Sequence, residues 1–321
     1  MHIRILFIGL VILLGLGTFQ ARAESLRIGY QKYGTLVLLK ARGQLESRLA
    51  ARNVQVQWFE FPGGPQLLEA LNAGAIDFGT TGEAPPIFAQ AAGADLLYVA
   101  NEPPAPAGEA ILVQKNASIP SVAELKGKKV ALNKGSNVHF LLVRALEEAG
   151  LSIRDITPVY LPPADGRAAF ESGQVAAWAI WDPFQAAAEQ QLQARTLRDG
   201  TGLVANHQFY LAARHYADRH PEVIRTLIQE IRDTGAWITR HPEEATALVA
   251  PLLGLPAAIT RISIARQGYG ARLLTPEVIA AQQRIADTFS ALRLIPKPLN
   301  IRNAVWMPET EQGPERTATA R

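Results

Sequence analysis

Glycine, threonine and serine residues mark four points at which a strand-like run gives way to a helix-like run. A helix N-terminus leaves backbone N–H groups unpaired and carries partial positive charge, so such a junction can bind an oxyanion without a cationic side chain. The four segments are YQKYGT, GTTGEAPP, NKGSNVHF and AIWDPF. The candidate binding residues at these junctions are Gln31, Gly34, Thr35, Thr81, Gly82, Ser136, His139, Trp181 and Asp182. The sequence therefore predicts a site for a small anion.

Some of these residues also have a purely structural role available to them. Thr35 and Ser136 are good helix N-caps whatever the function. Asp182 stands just before Pro183, which also suits a cap, and its carboxylate would repel a bound anion. We therefore expect Asp182 to cap a helix, to orient a donor or to bond an amine on the ligand.

Two aromatic positions and one histidine leave similar alternatives. Trp178 and Trp181 are three residues apart on a predicted strand, so they point to opposite faces and one of them is expected to line a cleft. His139, close to a helix start, is either a packed side chain or a polar contact.

Composition and motifs exclude several classes of protein. The chain has no cysteine, which excludes a disulfide, a thiolate metal site, a catalytic thiol and a lipidated cysteine. Lys and Arg number 32 against 29 Asp and Glu, so there is no basic footprint for nucleic acid. The sequence contains no GxSxG, GxxxxGK[ST], HExxH or GxGxxG motif. We therefore expect a monomer with no enzymatic activity, no metal and no cofactor.

Strand-like and helix-like runs alternate from Glu24 onward, which is typical of an α/β fold with mostly parallel sheets. A helix is predicted from Leu36 to Ala51, and the strand Ala110–Gln114 is expected to lead out of the first lobe. Two lobes joined by two crossings of the chain imply a ligand cleft between them. The predicted lobes are residues 24–113 with 207–321 for the first, and residues 114–206 for the second.

The segment Met1–Ala23 has the features of a secretory signal. A basic start at Arg4 precedes an apolar run, Ile5–Leu16, that is too short to span a bilayer well. Ala21–Ala23 then provides an A-x-A cleavage site. We therefore expect cleavage before Glu24 and a freely diffusing protein in the periplasm.

Longer motifs give the chain a family resemblance. They include RIGYQKYG, FPGGPQLLEALNAGAIDFGTTGEAPPIFAQAAGADLLYV, ALNKGSNVHFLLVRAL and PADGRAAFESGQVAAWAIWDPF. With these motifs the chain resembles the periplasmic aliphatic sulfonate-binding proteins of sulfonate ABC importers, over essentially its whole mature length. The resemblance implies a type II periplasmic binding fold, an alkanesulfonate clamped by the nine candidate residues, hinge closure and an ABC permease as partner.

The resemblance leaves some alternatives open. Where relatives often have a serine-rich KGSSSH, this chain has Asn137 and Val138, which puts the shape of the pocket in question. A receptor for taurine, a sulfate ester or nitrate would share the fold and overlap in motifs. An enzyme resembling the pyrimidine synthases of thiamine biosynthesis, or a sensory partner of a membrane receptor, are the rivals from other classes.

Overall fold

Ten β-strands form the frame of the part of the chain that the computed structural model describes, residues 24–307. The predicted signal segment, residues 1–23, lies outside the described residues. In chain order the strands are β1 (Glu24–Tyr30), β2 (Val54–Glu60), β3 (Phe78–Gly82), β4 (Leu96–Asn101), β5 (Glu109–Val113), β6 (Lys129–Leu132), β7 (Thr157–Tyr160), β8 (Ala177–Trp181), β9 (Arg195–Asp199) and β10 (Gln208–Ala213).

The strands form two five-stranded sheets of similar design. The first has the order β2-β1-β3-β10-β4 and the second the order β7-β6-β8-β5-β9. In each sheet four strands run in the same direction. The remaining strand, β10 in the first sheet and β5 in the second, runs antiparallel to its two neighbours. Every residue of β3, β4, β5 and β10 is buried, as expected for strands covered by helices on both faces. The predicted two-lobed α/β architecture is confirmed.

Twelve α-helices within residues 24–307 cover these sheets. They are α1 (Gly34–Arg42), α2 (Gln44–Ala50), α3 (Gly64–Asn72), α4 (Ala84–Ala91), α5 (Asn137–Glu148), α6 (Pro163–Glu171), α7 (Phe184–Gln191), α8 (Arg214–Arg219), α9 (Pro221–Arg240), α10 (Pro242–Leu253), α11 (Ala257–Arg266) and α12 (Pro276–Ala291). Within the described residues no single helix is long and apolar enough to cross a membrane; α10 and α11, bent by 114°, meet that criterion only as a pair.

The helix predicted from Leu36 to Ala51 is in fact two helices. Gly43 has a φ of +64°, a left-handed conformation that ends α1 and opens α2 at Gln44. The N-cap of α1 is Tyr33, so the expectation that Thr35 caps this helix is wrong. Thr35 instead lies in the first turn of α1, where its side chain is free to bond elsewhere.

The chain crosses between the two sheets twice. Strand β5 pairs with β8 and β9 in the second sheet, so the first crossing precedes Glu109 rather than following residue 113. The second crossing runs from β9 to β10, close to the expected residue 207. The C-terminal helices also contact the second half, because Ile259 of α11 packs against Ala186 and Ala187 of α7.

Candidate functional site

A small cavity lies between the two sheets, where the loops that follow several strands meet. Both halves of the chain and the segment that joins them line it. The lining residues are Gln31, Tyr33, Gly64, Gly82, Pro85, Gly108, Ser136, Asn137, Trp181, Asp182, Asn206, Gln208 and Gln267.

Five helices begin at this cavity. The helices α1, α3, α4, α5 and α7 each start within two residues of a lining residue; those residues are Tyr33, Gly64, Pro85, Asn137 and Asp182. Each helix N-terminus carries partial positive charge and backbone N–H groups without a helical acceptor. The convergence of five such ends makes the environment positive without a lysine or arginine in the lining. The N–H donors come from α1, α3, α5 and α7, because the Ala84 amide of α4 is bonded to Asn137 and the next two residues of α4 are prolines. That arrangement suits a small anion.

The structure brings five of the nine candidate residues to the cavity: Gln31, Gly82, Ser136, Trp181 and Asp182. Gly34, Thr35, Thr81 and His139 do not line it. A position in the lining makes contact with a ligand possible. The role of the first five as ligand contacts stays a prediction.

The hydroxyl groups of Thr35 and Thr81 form hydrogen bonds within the protein, beneath the cavity. The Thr35 hydroxyl donates to Oε1 of Glu102 at 2.9 Å, an oxygen that also accepts the Tyr210 hydroxyl at 2.7 Å. The Thr81 hydroxyl is completely buried and donates to the carbonyl of Gly82 at 2.9 Å. Both side chains therefore support the backbone of the site from behind.

His139 packs among aromatic rings one turn into α5. Its ring stacks on Phe88 with centroids 6.1 Å apart and lies 6.2 Å from the ring of Phe289. Its Nδ1 accepts the amide of Gly135 at 3.3 Å. Burial, and to a lesser degree the charge of Lys134, lowers the pKa of His139 to about 4. The imidazole is therefore neutral at physiological pH and supplies no charge to an anion.

Asp182 precedes Pro183, the N-cap of α7, and its side chain bonds to the first turn of that helix. Its Oδ1 accepts the amide of Ala186 at 3.0 Å and lies 3.5 Å from Nη1 of Arg266. Its Oδ2 has no hydrogen-bond partner within residues 24–307, although the side chain is completely buried. Burial raises the pKa of Asp182 to about 6, and the charge of Arg266 opposes that shift.

Trp178 and Trp181 point in different directions from β8, as the alternation of side chains along a strand predicts. Trp181 ends β8 and lines the cavity. Trp178 points away from it and packs in the second core, its ring 5.9 Å from that of Phe170. Of the two tryptophans, Trp181 is therefore the one that can provide an aromatic surface to a bound molecule.

Two further carboxyl groups are buried beside the site. Glu83 accepts the backbone amides of Asn206 and His207 at 3.3 and 3.0 Å, and burial raises its pKa to about 7. Glu109 is completely buried with neither oxygen bonded within residues 24–307. Burial, followed by the charge of Glu83, raises the pKa of Glu109 well above its usual range. Protonation of these groups reduces their repulsion of an anion in the cavity.

Eight lining residues were missed from the sequence: Tyr33, Gly64, Pro85, Gly108, Asn137, Asn206, Gln208 and Gln267. Three of them, Tyr33, Pro85 and Asn137, lie inside the junction segments that were singled out, and their side chains could have been included. Gly64 opens another strand-to-helix junction, FPGGPQ, of the same kind. The remaining four carry no local signal, because the tertiary fold alone brings them to the cavity.

The structure shows no metal centre in the part of the chain it describes. No group of three or more His, Asp or Glu side chains within residues 24–307 is placed to hold a metal ion.

Comparison with known proteins identifies relatives along almost the entire chain. The family model described as NMT1/THI5 like matches residues 50–245. The chain is 48% identical over 307 residues to an aliphatic sulfonates-binding protein of Escherichia coli (strain K12), covering 94% of this chain and 96% of the relative.

Two solved structures have the same fold. The alkanesulfonate-binding protein SsuA from Xanthomonas axonopodis pv. citri, bound to MOPS, superposes with a TM-score of 0.86 at 45% identity, covering 89% of this chain and 99% of that one. The periplasmic aliphatic sulphonate binding protein SsuA from Escherichia coli gives a TM-score of 0.80 at 49% identity, covering 88% and 97%. The predicted periplasmic binding fold is thereby confirmed.

Proposed function

The chain belongs to the NMT1/THI5-like family, and from that premise we propose that it is a periplasmic receptor that binds aliphatic sulfonates and delivers them to an ABC importer. The observation that carries this proposal is the convergence of five helix N-termini on one cavity. A sulfonate is ionised at any physiological pH and its three oxygens only accept hydrogen bonds. Backbone amides at helix N-termini are the donors that such a group requires.

The rest of the cavity can accommodate the organic part of the ligand. Trp181, Tyr33 and Pro85 offer apolar surface beside the donor groups. Close apolar contact with a tail stabilises a sulfonate but gives no benefit to sulfate or nitrate. This combination favours a sulfonate with an alkyl substituent over a bare inorganic anion.

Export, partner and domain movement form part of the same proposal. We expect the segment Met1–Ala23 to be removed on export, which leaves a monomer that diffuses in the periplasm and docks on an ABC permease. The two lobes correspond to the two sheets and rotate about the crossings before β5 and after β9. Closure of the lobes around the ligand presents the loaded form to the permease, and no catalytic step is involved.

Calorimetric titration of the mature chain tests the proposal. The ligands are ethanesulfonate, butanesulfonate, sulfate and nitrate, each added to the same preparation at constant ionic strength. The proposal expects saturable heat with both alkanesulfonates and much weaker binding of the two inorganic anions. If only sulfate or nitrate bound, the proposal would be wrong and the protein would be a receptor for that anion.

The unpartnered Oδ2 of Asp182 favours a second candidate, a receptor for an aminosulfonate such as taurine. A primary ammonium group could occupy the position in front of this buried carboxylate and satisfy its free oxygen. Including taurine in the same titration separates the two candidates. A preference for taurine over ethanesulfonate would favour the second.

A further inference from the structure

Asn137 joins the two halves of the molecule across the cavity. It is the first residue of α5, which packs on the second sheet, and its side chain reaches to α4, which packs on the first. Its Oδ1 accepts the backbone amide of Ala84 at 3.1 Å. A side chain of the second half thus occupies an N-terminal donor of a helix in the first half.

The amide nitrogen of Asn137 makes a second connection. Nδ2 donates to Oδ1 of Asn206 at 2.6 Å, and Asn206 lies in the segment that leads from β9 to β10. Asn206 in turn donates through its own Nδ2 to the carbonyl of Ala105 at 2.9 Å, in the other crossing. Asn137 is therefore bonded to α4 and, through Asn206, to both crossings between the sheets.

The space that Asn137 occupies is provided by Gly82. A Cβ atom added to Gly82 would lie 2.1 Å from Nδ2 of Asn137 and 2.2 Å from its Cγ, closer than real Cβ contacts allow. Gly82 is not among the glycines with positive φ, so backbone conformation does not require glycine there. The absence of a side chain at residue 82 instead lets Asn137 lie directly against the end of β3.

Asn137 is almost completely buried, and both polar atoms of its side chain are bonded. When the halves separate, Asn137 loses the Ala84 amide, and that amide loses its acceptor. Separation exchanges this bond for bonds to water, and an intramolecular hydrogen bond is favourable on balance, so the bond between Asn137 and the Ala84 amide favours the closed arrangement.

We propose that Asn137 is a positioning residue that latches the two halves closed, and that Gly82 is the seat that receives it. This inference goes beyond the proposed function, because the contact lies within the chain and adds to closure whichever anion binds. Loss of the one neutral hydrogen bond that joins the two halves directly corresponds to a change of at least about twofold in the ratio of open to closed protein. Asn137→Ala should therefore shift the protein towards the open form.

The test measures closure without any ligand. The chain contains no cysteine, so cysteines introduced at the exposed residues Gln55 of the first sheet and Gln174 of the second half can be spin-labelled specifically. Electron–electron distance measurements then give the populations of closed and open protein. Asn137→Ala should raise the open-to-closed ratio at least about twofold, whereas Asn72→Ala, at an exposed position on α3, should leave the ratio unchanged.

A double-mutant cycle separates a latch from a general loss of structure. Gly82→Ala should open the native protein, because its Cβ cannot coexist with the Asn137 side chain, but should have little further effect in the Asn137→Ala background. Circular dichroism confirms that each variant is folded. An unchanged distance distribution in folded Asn137→Ala, or equal opening by Gly82→Ala in both backgrounds, would overturn the latch. Sulfonate binding is tested separately by titration of the native chain, so failure of the latch would leave the proposed function standing.

Discussion

The hydroxyl of Tyr33 donates a 2.5 Å hydrogen bond to Oε1 of Gln208, and both residues line the cavity. The bond joins the N-cap of α1 to the first residue of β10, two positions that are 175 residues apart in the chain. Because the oxygen of Gln208 accepts from Tyr33, the orientation of its amide group is fixed. The nitrogen of that amide, with its two N–H donors, then lies on the other side and can serve an anion.

Tyr33→Phe tests this orientation. The variant keeps the ring and loses only the hydroxyl, so Gln208 can rotate and present its oxygen to the ligand. We expect ethanesulfonate affinity to fall about three- to tenfold, as for the loss of one neutral hydrogen bond. Titration calorimetry measures the change, and Tyr30→Phe, whose hydroxyl bonds outside the cavity, is the matched control. Equal affinities for Tyr33→Phe and the native protein would show that Gln208 is not a donor to the ligand.

Asp182→Asn distinguishes the two candidate ligands. Asparagine keeps an oxygen for the Ala186 amide and removes the negative charge beside the cavity. A receptor for alkanesulfonates should therefore bind ethanesulfonate as tightly as before or more tightly. A receptor for taurine should lose affinity for taurine specifically, since the ammonium loses its counter-ion. Parallel titrations with ethanesulfonate and taurine give the two affinities.

Thr81→Ala should affect stability more than binding. The hydroxyl is buried and bonded to the carbonyl of Gly82, and the residue does not line the cavity. We expect the free energy of unfolding to fall by about 0.5–1.5 kcal/mol, with ethanesulfonate affinity unchanged within about threefold. Urea denaturation and calorimetry measure the two quantities. A large loss of ethanesulfonate affinity with unchanged stability would show instead that Thr81 takes part in ligand binding.

Glu83 makes the stability of the fold depend on pH. Its pKa is about 7 in the folded protein, above its ordinary value of 4.5, so the folded state binds more protons between these two values. The free energy of unfolding therefore decreases as pH rises from 4.5 towards 7, and the contribution of the protonated group is lost above the folded pKa.

Glu83→Gln should remove this contribution. Burial also raises the pKa of Glu102 to about 7, so the pH dependence of the native protein's stability contains contributions from both groups. The difference between the native protein and Glu83→Gln isolates the contribution of Glu83. Urea denaturation at pH 5 and pH 7.5 should show the variant gaining stability relative to the native protein as pH rises. A constant difference between the two proteins at both pH values would contradict a raised pKa for Glu83.

The sequence predicted the features that arise from local patterns. Alternating strands and helices gave the α/β fold, and the junctions located parts of the cavity wall, including Gln31, Gly82 and Ser136. Strand β5 was placed in the wrong half because its composition is that of any buried strand. Its partners β8 and β9 are determined by tertiary contacts that no local pattern reveals.

The same reason explains the missed site residues. Asn206 and Gln208 reach the cavity because the second crossing passes through it, and Gln267 because the end of α11 lies against it. None of the three is at a strand-to-helix junction. Conversely, Thr35 and Thr81 have the right residue type at the right junctions, but their hydroxyls are used within the protein.

The most direct test of the account is a crystal structure of the mature protein with ethanesulfonate. We predict that the sulfonate group lies in the cavity among these helix ends, with its oxygens within hydrogen-bond distance of backbone amides of α1, α3, α5 or α7 and its ethyl group towards Trp181. A sulfonate bound outside this cavity, or held there chiefly by charged side chains, would contradict the claim that converging helix ends form the anion site.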